Sequence, residues 1–209
     1  MAKRLLLLIL LLLTSFHVVA VDQEWRFQVY LDNKKIGYHD FVLRELDDQT
    51  QLQSEASFEY RLMFVKLYGY EHENTEIWSG NCLTGIESTT DANGKPFKVS
   101  GSLQGDRFVL TGTAGDTDLP SCNMSFAYWN PAFLQQERLI NTQNGEVLDI
   151  EVSEPERVQL EVRGVIQPAL RYKLGAGELK IELWYSENNE WLALETEARG
   201  GRTLRYELL

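Results

Sequence analysis

Apolar and polar residues alternate with a period of two along most of this chain. That is the signature of strands with one face on a core and the other in water, which antiparallel pairing allows. Trp25, Phe27, Val29 and Leu31 fall on one face of a first strand. Asp32-Asn33-Lys34 makes a turn, and the chain returns from Ile36 to Leu43. The clearest strand runs from Gln51 to Leu62. Leu52, Ala56, Phe58, Tyr60 and Leu62 point one way; Gln51, Gln53, Glu55, Glu59 and Arg61 point the other.

Turn signals then recur at strand-length spacing. Asp91-Ala92-Asn93-Gly94 separates Leu83–Thr90 from Phe97–Val99, and Gly105-Asp106 precedes Phe108–Thr111. Gly175-Ala176-Gly177, Asn188-Asn189 and Gly200-Gly201 bracket Leu179–Tyr185, Trp191–Ala198 and Leu204–Leu209, a closing meander of hairpins. The pattern predicts roughly ten to twelve strands. One short helix is expected over Ala132–Ile140, with Asn130 as its cap and Pro131 at its first position. Gly112–Asp118 reads as the loosest loop. So many strands must curl, close or form two layers. The expected fold is mainly β: a strongly curved antiparallel sheet forming a partly closed barrel or roll, with a β-sandwich as the alternative.

The first twenty residues break the pattern. Lys3 and Arg4 precede an apolar run from Leu5 to Leu13, and Val18-Val19-Ala20 supplies a small residue at a cleavage point. This is the layout of a secretory signal peptide and is too short to span a bilayer. Cleavage after Ala20 leaves residues 21–209 as a single exported domain, expected in the periplasm. Asn123-Met124-Ser125 is a formal glycosylation acceptor, unused if the leader is bacterial.

The net charge of −11 is made more acidic still by losing Lys3 and Arg4. It disfavours nucleic acid and anionic headgroups as partners. No second apolar stretch is long enough for a transmembrane helix, so no stable membrane insertion is expected. Cys82 and Cys122 are the two cysteines. In an oxidising compartment they are most simply a disulfide; two buried thiols or half of a metal site compete with that reading. Closing a loop of that length stabilises by roughly 4 kcal/mol on chain-entropy grounds.

Motifs for chemistry are sparse. His72 lies in Glu71-His72-Glu73-Asn74-Thr75-Glu76, but on a strand Glu71 and Glu73 face away from it. His72, Asn74 and Glu76 share a face that reads as a polar strand surface, too poor for a metal. His39 reads as structural. No nucleophile elbow or phosphate loop is present, and no cofactor is implied. Glu71, Glu73, Glu76 and Glu87 are the candidates for paired-carboxylate glycan hydrolysis or lysis, although no spacing singles out a pair.

Aromatic residues give the stronger lead. Tyr68, Tyr70 and Trp78 flank the polar strand, and Tyr128 and Trp129 lead into the helix just after Cys122. A Cys82–Cys122 bridge would draw Trp78 towards Tyr128 and Trp129. These five side chains either fill the core or line a pocket for an apolar, amphipathic or sugar ligand. Trp184, Tyr185 and Trp191 read as core.

Four stretches carry a family resemblance: Trp78-Ser79-Gly80-Asn81-Cys82-Leu83, Tyr128-Trp129-Asn130-Pro131, Asn141–Gly145 and Leu183-Trp184-Tyr185. Together they resemble an uncharacterised family of exported Gram-negative proteins, catalogued as a domain of unknown function. The resemblance spans nearly the whole mature chain and implies a periplasmic, mostly antiparallel β-protein. It implies no reaction, cofactor or catalytic residue. Three roles follow in order: a carrier for a hydrophobic or amphipathic envelope ligand such as a lipid or glycan, a structural or partner-binding envelope protein, and a carboxylate-dependent glycan hydrolase or lyase.

Overall fold

The computed structural model describes residues 22–198 and 200–209, so the leader and its cleavage point lie outside the described residues. The first half is a run of hairpins: β1 (Gln23–Leu31), β2 (Lys34–Leu46), β3 (Gln49–Leu62), β4 (Val65–Ser79), β5 (Cys82–Ala92), β6 (Lys95–Gln104), β7 (Arg107–Gly112) and β8 (Gly115–Pro120). After a long crossing segment come β9 (Arg138–Ile140), β10 (Val147–Asp149), β11 (Glu151–Val152), β12 (Glu156–Val162), β13 (Val165–Ala176), β14 (Leu179–Tyr185), β15 (Trp191–Ala198) and β16 (Arg202–Leu208).

Fourteen of these strands form one sheet, ordered β11-β13-β14-β15-β16-β1-β2-β3-β4-β5-β6-β7-β8, with β12 also on β13. Every pairing in it is antiparallel. It is a single curling layer rather than a sandwich. Strands β4 and β14 are far apart in this order, yet Tyr70, His72, Asn74 and Glu76 of one share a cavity with Leu179 and Ile181 of the other. Only a strongly curved sheet brings them together. Among the described residues it does not close by strand pairing: β8 is an edge, six residues long and carrying Asp116, Asp118 and Pro120, which discourage addition of another strand.

The sequence pattern locates most of these strands, and the turn chemistry explains their ends. Asn93 (φ 58°) and Gly94 (φ 83°) take the left-handed backbone that a two-residue hairpin requires. Three expectations are corrected. Among the described residues there are sixteen strands, the additional ones including β8 in the expected loop and the short β9, β10 and β11. Gly112–Asp118 is not a loose loop: Gly115–Pro120 pairs along its length with β7 through the backbone. The helix is one 3-10 turn, Pro131–Gln135, capped as expected by the Asn130 side chain, which accepts from the Ala132 N–H. It ends there because Arg138–Ile140 is drawn into a ladder with Val147–Asp149.

The concave face is filled by a plug, residues 121–150, that crosses from β8 to β11. It enters through the disulfide Cys82–Cys122 and the Leu83 N–H bond to the Asn123 carbonyl (2.9 Å). Further on, Ser88 donates to the Thr142 carbonyl (2.7 Å), and the Thr113 N–H donates to the Asn144 carbonyl (2.8 Å). From the other limb of the sheet, the Tyr185 hydroxyl donates to the Tyr128 carbonyl (2.7 Å). Gly145 meets Gly112 so closely that a Cβ on either would lie 2.7–2.8 Å from the other's backbone. Two bare backbones are what let the plug lie on the β7–β8 hairpin.

Trp191 sits where plug and sheet converge. Its ring centroid is 4.2 Å from that of Phe27, 5.0 Å from Phe41 and 5.2 Å from Tyr128. Trp184, Tyr185 and Trp191 are all buried, as the sequence suggests.

Candidate functional site

Antiparallel register lays the inward residues of β2 to β5 in rows. His39 faces Ala56, Ala56 faces His72, and His72 faces Thr90. In the next row Phe41, Ser54, Asn74 and Ser88 follow one another, and beyond it Leu52, Glu76 and Ile86. Ser54, His72, Asn74, Glu76, Ser88 and Thr90 thus form a contiguous polar patch on the dry side of the sheet, every member buried. The face that reads from sequence as a polar strand surface is therefore an interior one, because the plug covers it. Glu71, Glu73 and Glu87 point outward and are exposed. The four candidate carboxylates do not come together; Glu76 alone is inside.

A cavity of about 220 Å³ opens between this patch, the plug and β14–β16. Phe41, Leu52, Ile181, Leu194 and Tyr206 supply apolar walls; Asn141, Thr142 and Gln143 of the plug form the side opposite β4. Of the five aromatic candidates, Tyr70, Tyr128 and Trp129 line it. Trp78 does not: it is fully buried, edge-on to Trp129 at 5.5 Å, which is the convergence the disulfide was expected to produce. Tyr68 does not either. It shares the inward parity of Tyr70 but lies beyond the last β4–β5 pair and is 40% exposed. His39, His72 and Asn74, which the sequence reads as structural or as a polar strand face, also line it, together with Glu76, one of the four candidate carboxylates.

Glu76 is the most protected charge in the patch. Burial pushes its carboxyl above the usual range, opposed by the nearby Ser125 hydroxyl and by hydrogen bonds from Asn74 and Trp78. The Trp78 indole donates at 3.0 Å and the Asn74 amide at 3.2 Å. The two imidazoles go the other way. Burial lowers His72 to about 4, and burial, with His72 nearby, holds His39 well below its ordinary value. Both are neutral at pH 7. His72 Nδ1 and the Thr90 hydroxyl are hydrogen-bonded at 2.8 Å, and the same hydroxyl lies 3.5 Å from the Gln143 carbonyl.

This makes acid stability a test of the patch. The depressed His72 value contributes stability that is present above pH 6.5 and lost as pH falls towards 4. In His72→Gln, which keeps a hydrogen-bonding group beside Thr90 but does not titrate, that loss is absent. The stability difference between wild type and variant should fall by about 3 kcal/mol between pH 7 and pH 4. Urea unfolding at several pH values reads it; parallel curves would mean that His72 is not buried neutral.

Three polar atoms in the cavity wall are fully buried and have no hydrogen-bond partner among the described residues: His39 Nε2, Asn74 Oδ1 and Trp129 Nε1. They offer an acceptor (Asn74), a donor (Trp129) and an atom of either kind (His39). Among the described residues no group of three or more His, Cys, Asp or Glu could hold a metal ion. A larger groove of about 710 Å³ lies over β11 and β13–β16. It is more open, and its charges are solvated or paired, as Lys180 is with Glu197 at 3.9 Å. It presents no unpartnered buried atom.

The disulfide is compatible with an exported protein, and no helix of the described residues is long and apolar enough to cross a membrane. Among curated proteins none matches this chain. Among solved structures it is similar to a beta-barrel-like protein of domain of unknown function DUF1849 from Brucella abortus, at 10% identity and a TM-score of 0.62, over 92% of this chain and 98% of that one. At that identity the likeness speaks for the barrel-like fold alone. The match that extends from Phe27 to Leu209 is to a sequence family, and by it the chain belongs to the family described as domain of unknown function DUF6134.

Proposed function

We propose that the protein is an exported, periplasmic binding module that holds a small amphipathic molecule, or the polar end of a longer one, in the interior cavity. The observation that carries this reading is the set of unpartnered atoms His39 Nε2, Asn74 Oδ1 and Trp129 Nε1 in a wall that joins a polar patch to apolar and aromatic side chains. A buried polar atom left unpaired costs about 1–3 kcal/mol, and a ligand that pairs all three recovers that cost. Size narrows the class. The cavity holds about 220 Å³. That suits a sugar-sized or short-chain molecule and is below the usual range for a drug-sized one. A whole lipid would leave its tail outside.

The test uses octyl glucoside, which joins a sugar head to a short tail, and octanoate as its charged counterpart. Quenching or a blue shift of tryptophan emission on titration reports occupancy beside Trp129. Asn74→Leu removes the acceptor at nearly constant volume and should weaken binding about tenfold. Solvent extraction and mass spectrometry of the natively purified protein should recover a small amphipathic species. A flat titration with both probes together with an empty extract, or equal affinity in Asn74→Leu, rejects the proposal.

A further inference from the structure

Among the described residues the two most exposed large apolar side chains, Phe64 at 91% and Met63 at 84%, stand side by side at the turn of the β3–β4 hairpin. Leu62, Val65, Leu67 and Tyr68 extend the exposed apolar surface along both strands. Such a cluster in an acidic protein requires an explanation. We infer that this hairpin tip is a docking element that enters the surface of an anionic phospholipid membrane.

Register makes the tip a projection. Pairing of β2 with β3 stops at Phe58, and pairing of β4 with β5 stops at Tyr70. From there Glu59↔Gly69, Tyr60↔Tyr68, Arg61↔Lys66 and Leu62↔Val65 continue the β3–β4 ladder alone, while the Asn93 N–H and the Lys34 ammonium donate to the Gly69 and Arg61 carbonyls. At ~3.3 Å per residue the turn stands about 15 Å beyond the flanking ladders. Its strands satisfy one another's inward backbone groups, so a shallow apolar tip can enter an interface without stranding them all.

Charge complements this shape. The net charge of −11 repels anionic lipid at a distance. Around the tip the sign reverses. Lys34 donates to the Arg61 carbonyl and lies over the Tyr60 ring, with Arg202 over the same ring and paired with Asp32 at 2.8 Å, so that Lys34, Arg61, Lys66 and Arg202 outnumber Glu59 and Asp32. Arg61 and Lys66 share Glu59, the one carboxylate on the projecting segment. A projection of about 15 Å exceeds the screening length of about 8 Å at physiological salt, so an approaching headgroup meets the local cations and not the acidic body. The same geometry disfavours a stable protein partner. Such partners bury about 800 Å² on each side, more than a convex tip a few residues wide presents.

The inference does not depend on the cavity holding a ligand, but the two agree in orientation. Alternating strand directions put the β3–β4 and β13–β14 turns at one end of the sheet. Tyr70 and Leu179, next to those turns, are the lining residues at that end of the cavity. The disulfide and the 3-10 turn are at the other end, where Asn130 hydrogen-bonds Asn81 (2.9 Å).

The test is vesicle co-sedimentation of the purified full protein, with identical processing of residues 1–20 in every variant. The vesicles are phosphatidylglycerol mixed with phosphatidylethanolamine, against phosphatidylcholine alone. Binding to the anionic vesicles is expected and should weaken as salt is raised. Met63→Ser with Phe64→Ser should lower partitioning at least tenfold with an unchanged melting curve, since both side chains are outside the core. Lys34→Gln with Lys66→Gln keeps the apolar tip and should lose most of the preference for anionic lipid. Val165→Ser with Ile166→Ser, exposed apolar residues at the other end of the strands, should bind like wild type. No binding to anionic vesicles, or full binding by the Met63/Phe64 variant, overturns the inference. A dimer in light scattering that the Met63/Phe64 change dissolves, with no vesicle binding, also overturns it and assigns the tip to a second copy of the chain.

Discussion

Replacing Cys82 and Cys122 together with serine is expected to lower stability by about 4 kcal/mol, read as a shift of the urea midpoint at unchanged slope. The bridge spans a sequence separation of 40 and returns the end of the β5–β8 limb to its root, so it removes a large closed loop's worth of freedom from the unfolded chain. It also fixes where the plug starts. Downstream, the plug is held by hydrogen bonds from Ser88, Tyr185 and both the N–H and the hydroxyl of Thr113, each worth about 1 kcal/mol. The variant should therefore expose Trp129 to quenchers at urea concentrations below the main transition. A loss under about 1 kcal/mol would show that plug packing holds without the bridge.

Trp191→Ala is expected to cost about 4 kcal/mol, the range for emptying a large aromatic site from a packed core. The ring has no exposed surface, and its indole N–H donates to the Ala193 carbonyl at 3.0 Å. It touches Phe27 on β1, Phe41 on β2 and Tyr128 in the plug, so no single neighbour can move to fill the space. Trp191→Phe keeps those contacts in part and should recover about half of the loss. Thermal unfolding followed by near-ultraviolet dichroism separates the two variants. Equal, small shifts for both would mean that the aromatic contacts contribute little beyond filling volume.

Local patterns made much of this architecture readable. Alternation from Leu52 to Tyr60 names the buried face of β3, and Asn93-Gly94 names a hairpin. The cysteine pair placed Trp78 against Trp129 before any coordinates. What stayed hidden depends on residues distant in sequence. In β4 both faces are polar, Glu71 and Glu73 on one and His72, Asn74 and Glu76 on the other. Alternation separates them but does not say which side is dry; that is decided by a plug some fifty residues away, through Ser88–Thr142 and Thr90–Gln143. Strand β8 has Leu119 as its one buried side chain, so it shows no apolar alternation, and its exposed polar partners, Asp116 on Thr111 and Asp118 on Arg107, are indistinguishable in sequence from a solvated loop. Tyr68 and Tyr70 share a parity and differ in fate because β5 is too short to reach the first of them.

Strands β1 and β16 pair at the middle of the sheet, with Phe27 opposite Leu208 and Leu31 opposite Leu204. The central seam thus joins the two most distant parts of the sequence, the highest contact order the fold contains, and it is expected to zip late. Until it does, the protein is two half-shells with raw borders at β1 and β16, each a template for unwanted strand association. A truncation that removes only Arg202–Leu208 would leave β1 and β15 permanently open at the centre, a larger wound than the loss of either outer border.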